Sequence, residues 1–417
     1  MEKSGFDNPP EDWVGAVAAA KLLNVKVATL YSYVSRGLIR TLPSEHHRER
    51  RYVRSDVERV RARADARLGH AAVAAGALRW GEPVLDSAIT ELRPGGPAYR
   101  GQLAIELARA HSFEQVAELL WTGSLPDGGT RWMARPVSPA RPVATGNALA
   151  LLMSGVALQA ARQEERAAAS PAAELSASRQ LIRAMAGWSA GWAGRPAGPV
   201  RRAATVAGAL ASALGARRGA ASERAIDEVL VLCADHELNA SSFAARVASS
   251  AGADLYACIL AALATFSGAR HGGEGARVEE LIGEVSTPRQ ARSVLRGRVR
   301  RGELLPGFGH PLYRGGDPRA EVLLETARKV GARSSSVGRV LAVADAAEAL
   351  GMERPNLDFG LVAVAAALGL PPGASAILFC LGRTAGWTAH LQEQRASGVL
   401  LRPRARYVGH LVVGVNG

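Results

Sequence analysis

Apolar residues recur at helical spacing along most of the chain, and alternating apolar and polar positions are rare. The spacing predicts helices over residues 254–266, 359–368 and 377–392, of which the last two flank a Pro-Pro-Gly turn. One strand candidate, residues 82–92, ends at a turn-forming cluster of arginine, proline and glycine. The expected fold class is therefore mainly α.

The beginning of the chain has a pattern of its own. Residues 1–12 are acidic and contain proline, and we expect them to be disordered. Residues 13–65 are predicted to form a compact unit, and residues 66–79 to form a linker. The remaining residues, 80–417, are predicted to form the main helical body.

Two short helices are predicted in the compact unit, from Ala16 to Leu23 and from Val27 to Arg36, with Gly37 ending the second. The apolar side chains expected to form its small core are Leu23, Val25, Leu30, Val34 and Leu38. The outer face of the second helix would then carry polar and basic side chains: Lys26, Thr29, Ser32, Tyr33 and Arg36. A basic stretch that includes Arg48, Arg50 and Arg51 follows.

This unit resembles the MerR-type or excisionase-type winged helix-turn-helix, through the pieces TLYSYVSRGLIR, RRY and SDVERV. The resemblance implies DNA binding by the eight polar and basic residues just named, and a module of this size would need a dimer for useful affinity. The alternative is a helix pair that is vestigial or that binds a protein.

Composition adds expectations about partners and compartment. The net charge is +13 and the only lysines are Lys3, Lys21, Lys26 and Lys329, so arginine dominates the basic residues. A basic chain favours anionic partners such as nucleic acid, coenzymes or organic acids, although arginine richness also follows from genome base content. The three cysteines are expected to be buried free thiols in a reducing cytosol, and we expect a cytoplasmic protein with no membrane contact.

Four segments combine histidine, arginine or aspartate with turn-forming residues: 234–241, 269–273, 305–320 and 354–359. His236 falls on the apolar face of its predicted helix, which by itself is typical of a core histidine. His271 is followed by two glycines, which allow a ligand to approach the backbone. The loop from Leu305 to Gly309 is expected to expose its amides. Asp358 precedes a long helix, which by itself is typical of an N-cap.

Taken together and in order, these segments resemble the citrate synthase family. The motifs are ADHELNAS, HGG, LPGFGHPLY with DPRA, PNLDF, GRTAGWTAH and RPRARYVG, preceded by YRG and SFEQVAELLWTGSLP. The resemblance runs from about residue 80 to about residue 410. It implies a large domain (80–271 and 373–417) and a small domain (272–372) that closes over the substrates.

The resemblance also implies roles for single residues. Asp358 would take a proton from the methyl group of acetyl-CoA, His271 would donate a hydrogen bond to the thioester oxygen, and His310 would polarise the ketone of oxaloacetate. Nearby amides would hold Asp358 ionised. The CoA adenine would bind the loop formed by Leu305, Pro306, Gly307, Phe308 and Gly309. The two carboxylates of oxaloacetate would meet His236, Arg319, Arg383 and Arg402.

The last of these arginines would come from the partner subunit of a homodimer. No cofactor and no metal are expected, since acetyl-CoA is a co-substrate. Two departures from the family pattern stand near the site: Glu274 follows HGG, and Phe359-Gly360-Leu361 replaces the usual Tyr-Ser-Gly. A carboxylate at Glu274 is expected to raise the pKa of His271.

Citrate formation from acetyl-CoA is the leading functional prediction. One variant uses propionyl-CoA and gives 2-methylcitrate, since one methylene contributes little to discrimination. A different class of function is a transcription regulator whose body binds a metabolite without turning it over.

Overall fold

The chain divides into two compact units, Met1–Asp86 and Ser87–Gly417. A computed structural model describes residues 13–23, 25–36, 38–43, 50–54, 56–57, 60–61, 85–132, 146–162, 170–332, 334–403 and 405. The predicted disordered N-terminus, the predicted linker, Gly37 and Arg48 lie outside the described residues.

In the described residues, the first unit contains two helices near its start, further helical residues at positions 54, 56–57 and 60–61, and a small antiparallel sheet. The helices are α1 (Ala16–Leu23) and α2 (Val27–Ser35), which agree with the two predicted from the sequence. The strands are β1 (Trp13–Gly15), β2 (Thr41–Pro43) and β3 (Arg50–Val53), in the order β1-β3-β2. Periodicity did not indicate these strands because each is only three or four residues long.

The core of this unit differs in part from the prediction. Leu30 is fully buried, and Leu23 and Val34 pack against the cluster around it. Leu38 is exposed, and the neighbouring Ile39 is buried in its place. Tyr33 also packs against this cluster and is half-buried, so its assignment to the outer face was wrong.

The second unit is mainly helical. It begins with a three-stranded antiparallel sheet made of β4 (Thr90–Arg93), β5 (Gly96–Tyr99) and β6 (Gln102–Leu103). The helices are α3 (Ala104–Ala110), α4 (Phe113–Thr122), α5 (Ala148–Ala161), α6 (Pro171–Trp192), α7 (Ala197–Arg202), α8 (Val206–Leu214), α9 (Ala220–Cys233), α10 (Ala240–Ser250), α11 (Leu255–Phe266), α12 (Glu274–Glu284), α13 (Ala291–Arg300), α14 (Pro318–Val330), α15 (Ser335–Ala349), α16 (Leu357–Leu368) and α17 (Ala374–Ser397). None of the helices in the described ranges is long and apolar enough to cross a membrane.

The strand predicted over 82–92 is much shorter in the structure. Residues 85–89 are not in a strand, residues 82–84 lie outside the described part, and β4 continues to Arg93. A tight hairpin follows, in which Arg93 pairs with Gly96. The Pro-Gly cluster therefore turns the chain within a hairpin.

Helix α17 lies at the centre of the second unit, and most of its side chains are buried. It approaches α9 closely because Gly382 and Gly386 lie on one face, four residues apart. A Cβ at Gly382 would lie 2.7 Å from the carbonyl oxygen of Leu230. A Cβ at Gly386 would overlap the carbonyl oxygen of Ala234. The amide of Gly386 donates to the Ala234 oxygen at 3.0 Å. Arg383 is thereby carried into the interior.

Helices α14 and α16 also pack closely, because Gly360 faces Leu323 without a side chain of its own. Asp317 joins the first turns of these two helices. It caps α14 by accepting the amide of Arg319 at 3.1 Å, and it accepts the first amide of α16, that of Leu357, at 3.1 Å. Cys233, Cys258 and Cys380 are free and buried, as expected.

Candidate active site

His236 lies in the turn between α9 and α10, beyond the helix on which the sequence pattern placed it. The helix ends at Cys233, and Glu237 has a φ of 56°, a left-handed conformation that ends any helical continuation. The hydroxyl of Tyr99 donates to the carbonyl oxygen of Asp235 at 3.0 Å and accepts from the Asp235 amide at 3.2 Å. These bonds hold the turn that presents His236.

Three rings face one another at this turn. The centroid of the His236 ring lies 5.3 Å from that of His310 and 5.6 Å from that of Tyr313. The Nε2 atom of His236 is 2.9 Å from the hydroxyl oxygen of Tyr313. Burial, followed by the positive charges of Arg319 and Arg383, lowers the pKa of His236 well below its usual range. His236 is therefore neutral at physiological pH.

The orientation of His310 is set by its own backbone. Its Nδ1 accepts the amide of Leu312 at 3.1 Å, which leaves the proton of a neutral imidazole on Nε2. Burial and then the charge of Arg319 lower the pKa of His310. His310 can thus donate from Nε2 as a neutral group.

Arg319 is a buried cation beside these rings. Its Nε and Nη2 atoms donate to the two carboxylate oxygens of Asp317 at 2.9 and 2.8 Å. Its Nη1 atom is buried and has no hydrogen-bond partner among the described residues. Burial opposes the charge of Arg319, but the Asp317 carboxylate outweighs that effect and raises the pKa of Arg319. The buried NH2 group at Nη1 of a permanent cation is therefore available to an anion.

Arg383 supplies a second buried cation. Its Nε donates to the carbonyl oxygen of Cys233 at 2.7 Å, and its guanidinium lies 4.6 Å from the ring centroid of Phe379. Burial lowers the pKa of Arg383, while the charge of Asp235 opposes this.

His271 follows α11 in a tight turn. A Cβ at Gly272 would overlap the carbonyl oxygen of Phe266, so this position requires glycine. The Nε2 atom of His271 is 2.9 Å from the hydroxyl oxygen of Ser241, which also accepts from the indole of Trp387 at 3.2 Å. Burial, with the charge of Arg383 second, lowers the pKa of His271 to about 4.

The expectation that Glu274 raises the pKa of His271 was therefore wrong. The Glu274 carboxylate accepts the amide of Gly307 at 2.7 Å and forms an ion pair with Arg277. Its electrostatic effect acts on Asp358, and burial dominates at His271. His271 is thus a neutral imidazole.

Asp358 lies in the first turn of α16, but it is not the N-cap. Asn356 caps the helix by accepting the amides of Asp358 and Phe359 at 3.0 and 3.4 Å. Burial raises the pKa of Asp358 to about 7, and the carboxylate of Glu274 adds to this rise. The expectation that nearby amides keep Asp358 ionised was therefore wrong, because desolvation outweighs the helix terminus.

The loop from Leu305 to Gly309 is held by hydrogen bonds from its backbone to residues outside the loop. The amide of Gly307 donates to Glu274, and the amide of Gly309 donates to the carbonyl oxygen of Arg354 at 2.8 Å. The expected exposure of these two amides was wrong. Phe308 is buried, and its ring centroid lies 5.0 Å from that of Phe359, so the loop packs onto the first turn of α16.

The structure brings together six of the seven residues predicted for catalysis and oxaloacetate binding. Contacts and electrostatic interactions connect His236, His271, His310, Arg319, Asp358 and Arg383. Arg402 is exposed beyond the end of α17, and none of the described contacts joins it to the others. Among the residues that the structure describes, no group of three or more histidine, cysteine or acidic side chains is arranged to hold a metal ion.

Several residues of the site were not singled out from the sequence. Tyr313, Ser241, Asp317 and Asp235 all lie inside the quoted motifs. The partners of Tyr313, Ser241 and Asp235 are distant in the chain, whereas Asp317 pairs with Arg319 two residues away and also accepts the amide of the distant Leu357. The partner of Asp235 is His390, whose Nε2 atom lies 3.2 Å from a carboxylate oxygen of Asp235, and both side chains are fully buried.

The family model for the C-terminal domain of citrate synthase matches residues 77–404. A putative citrate synthase 2 of Mycobacterium tuberculosis is 43% identical over 191 residues, which cover 44% of this chain and 51% of that protein. A 2-methylcitrate synthase of Shewanella oneidensis is 37% identical over 194 residues, covering 46% and 52%. The chain spans about half the length of these curated relatives.

The similarity to solved structures covers a larger share of this chain than the similarity to the curated relatives. The ternary complex of carboxymethyl coenzyme A and oxaloacetate with citrate synthase from Thermoplasma acidophilum has a TM-score of 0.70 at 25% identity, covering 79% of this chain and 94% of that chain. Citrate synthase from Pyrobaculum aerophilum has a TM-score of 0.68 at 27% identity, covering 79% and 91%. With a mainly helical citrate synthase fold and a family match over more than half of its length, this chain belongs to the citrate synthase family.

Proposed function

We propose that this protein condenses acetyl-CoA with oxaloacetate and hydrolyses the resulting thioester to citrate and CoA. The observation that carries this proposal is the convergence of Asp358, the neutral His271 and His310, and the buried cations Arg319 and Arg383 in one site. The Thermoplasma acidophilum citrate synthase, which has the same fold, forms a complex with oxaloacetate and a CoA derivative.

The first step needs a base and an oxyanion donor at the same time. The carboxylate of Asp358 takes a proton from the methyl group of acetyl-CoA, and an imidazole N–H of His271 donates to the thioester oxygen where charge develops. With a pKa near 4, His271 stays neutral and is a donor whose proton remains in place. With a pKa of about 7, Asp358 is a stronger base than an ordinary aspartate.

Carbon–carbon bond formation follows. The enolate carbon attacks the ketone carbon of oxaloacetate, and the ketone oxygen takes the proton from Nε2 of His310 to become a hydroxyl. His310 regains a proton as Asp358 gives up the one taken from the methyl group, so both residues return to their starting states. Arg319 offers its buried Nη1, and His236 and Arg383 line the same site, which suits the two carboxylates of oxaloacetate. Water then cleaves the citryl-CoA thioester, releasing citrate and the CoA thiol. The Leu305–Gly309 loop, adjacent to Asp358, would hold the adenine of CoA.

The test is release of free CoA thiol by the full-length protein from acetyl-CoA and oxaloacetate. We expect Asp358→Asn to abolish the release, because the amide cannot accept the methyl proton. Asp345→Asn, an exposed acid on α15, is the matched control and should retain activity. Absence of thiol release from both acetyl-CoA and propionyl-CoA by the wild type would refute the proposal.

The acyl group is the second question. Relatives include a citrate synthase 2 of Bacillus subtilis at 35% identity and a 2-methylcitrate synthase at 37% identity. One methylene contributes about 1–3 kcal/mol of discrimination. The ratio of kcat/KM for acetyl-CoA to that for propionyl-CoA decides between citrate and 2-methylcitrate formation, and we expect acetyl-CoA to be preferred.

A second candidate function, DNA binding by the first unit, is favoured by exposed polar and basic residues on two of its elements. Lys26, Thr29 and Arg36 at or near α2 are exposed, and so are Arg50 and Arg51 on β3, while Ser32 is half-buried. Such a pattern suits phosphate and base-edge contacts. In this reading the enzyme-like body senses a metabolite.

The matching experiment measures the salt dependence of binding of the full chain to a mixed-sequence DNA duplex. Replacing Arg36 and Arg51 by glutamine should lower the slope of log affinity against log salt by about one for each lost phosphate contact. Arg292→Gln, an exposed arginine in the second unit, is the matched control. An unchanged slope in the double variant would remove this candidate.

A further inference from the structure

Glu274 occupies a position that connects three parts of the site. It is the first residue of α12 and follows the His271-Gly272-Gly273 turn directly. Both glycines pass close to other backbone: a Cβ at Gly273 would lie 3.1 Å from the Cα of Ala269. The short, tightly packed connection therefore keeps Glu274 next to the segment that carries His271.

One oxygen of Glu274 holds the loop that we propose binds CoA. Its Oε1 accepts the amide of Gly307 at 2.7 Å, while Oε2 pairs with Arg277 in the next turn of α12. Gly307 has a φ of 82°, and a Cβ there would lie 2.5 Å from a methyl group of Val278. The carbonyl oxygen of Gly307 accepts the amide of Asn356 at 2.8 Å. Gly307 thus connects Glu274 to the N-cap of the helix that carries Asp358.

The charge of Glu274 also acts on Asp358. Four charged groups from three other elements influence this carboxyl: Glu274 on α12, Asp317 and Arg319 at the start of α14, and Arg383 on α17. Asp317 is neutralised by its two-point pair with Arg319, and Arg383 is engaged with a carbonyl oxygen. After burial, Glu274 makes the largest contribution to the raised pKa of Asp358.

We propose that Glu274 is a positioning residue: its carboxylate oxygen anchors the Leu305–Gly309 loop through Gly307, which in turn holds the N-cap of the helix that carries Asp358. The inference rests on the proposed function, because it uses Asp358 as the base and the loop as the CoA site.

Two substitutions separate the anchor from the effect of the Glu274 charge on Asp358. Glu274→Gln keeps a carbonyl oxygen that can accept the Gly307 amide but removes the charge, whereas Glu274→Ala removes both. For Glu274→Gln we expect the acid limb of the pH profile of kcat/KM to move down by roughly one pH unit, with an unchanged KM for acetyl-CoA. For Glu274→Ala we expect the same movement and a KM raised about tenfold, equivalent to one lost hydrogen bond to a charged group. Glu280→Gln, an exposed acid on α12, is the control.

An unmoved acid limb in Glu274→Gln would overturn the effect of charge, and an unchanged KM in Glu274→Ala would overturn the anchor. Calorimetric titration with CoA itself keeps the anchor testable without turnover. If the wild type binds CoA but releases no thiol, the proposed function fails, while weaker CoA binding by Glu274→Ala than by Glu274→Gln still supports the anchor. If the wild type does not bind CoA, the anchor is overturned as well.

Discussion

At the scale of single residues, the site places ionisable side chains where water is largely excluded. Burial lowers the pKa of His271 to about 4 and raises that of Asp358 to about 7, so both groups favour their neutral forms. Neutrality suits a hydrogen-bond donor. For Asp358, the raised pKa makes the carboxylate a stronger base, but below a pH of about 7 most of this carboxylate is protonated and cannot accept a proton.

The pKa of Asp358 predicts opposite effects of Asp358→Asn on stability and on turnover. In the folded wild type this carboxyl keeps its proton at pH values where the unfolded chain has lost it, so its contribution to the unfolding free energy falls as pH rises from about 4 to about 7. The asparagine variant should be more stable than the wild type by roughly 2–4 kcal/mol at a pH of about 8, and equally stable at a pH of about 4. Urea unfolding at both pH values measures this, and a variant less stable at the higher pH would contradict it.

At the scale of secondary-structure elements, the close approach of α17 positions both Arg383 and the His236 turn. Gly386 allows it, since any Cβ would overlap the carbonyl oxygen of Ala234. The hydrogen bond from Gly386 to Ala234 then connects the helix to the turn. Packing of α17 against the His236 turn therefore sets the distance between Arg383 and His236.

Gly386→Ala should accordingly reduce both stability and activity. Overpacking at such a contact costs about 1–3 kcal/mol, and displacement of the turn would raise the KM for oxaloacetate. Gly187→Ala on α6 is the matched control, because a Cβ there meets nothing within 4 Å and alanine favours a helix by about 1 kcal/mol over glycine. Thermal unfolding and steady-state kinetics of the two variants provide the comparison; equal stability of both would refute the packing argument.

At the scale of the whole molecule, the position of Arg402 bears on assembly. It is exposed beyond the end of α17 and is not joined to the other predicted substrate ligands by any contact among the described residues. A homodimer in which Arg402 completes the partner's site stays a prediction. In such a dimer the two sites share side chains across a two-fold axis.

Shared sites predict complementation between two inactive variants. Arg402→Ala and Asp358→Asn chains should each lack activity alone. After unfolding and refolding together in equal amounts, half of the dimers would be mixed and each would contain one intact site, so about a quarter of the wild-type activity should return. No recovery despite formation of mixed dimers would show that Arg402 does not act across the interface.

Sequence periodicity predicted a mainly helical body and the two N-terminal helices, and the resemblance of the ordered motifs to the citrate synthase family implied six side chains that the fold brings together. They succeeded because helices and short motifs are encoded locally. The misassigned features of the site depend on contacts between distant segments. His236 leaves its helix because the Glu237 turn is held by Tyr99, and the amide of Gly307 is covered because Glu274 reaches it from another element.

Charge states were likewise decided only by the tertiary structure. The sequence places Glu274 three residues from His271, yet its carboxylate acts on Asp358, which lies far along the chain. Likewise, Asp358 starts a helix, yet burial outweighs the stabilisation that a helix terminus provides. The sequence by itself determined which chemical groups are present and in which local structures. Desolvation and the pairing of charges, which depend on all the neighbours in space, decided their protonation and therefore their use.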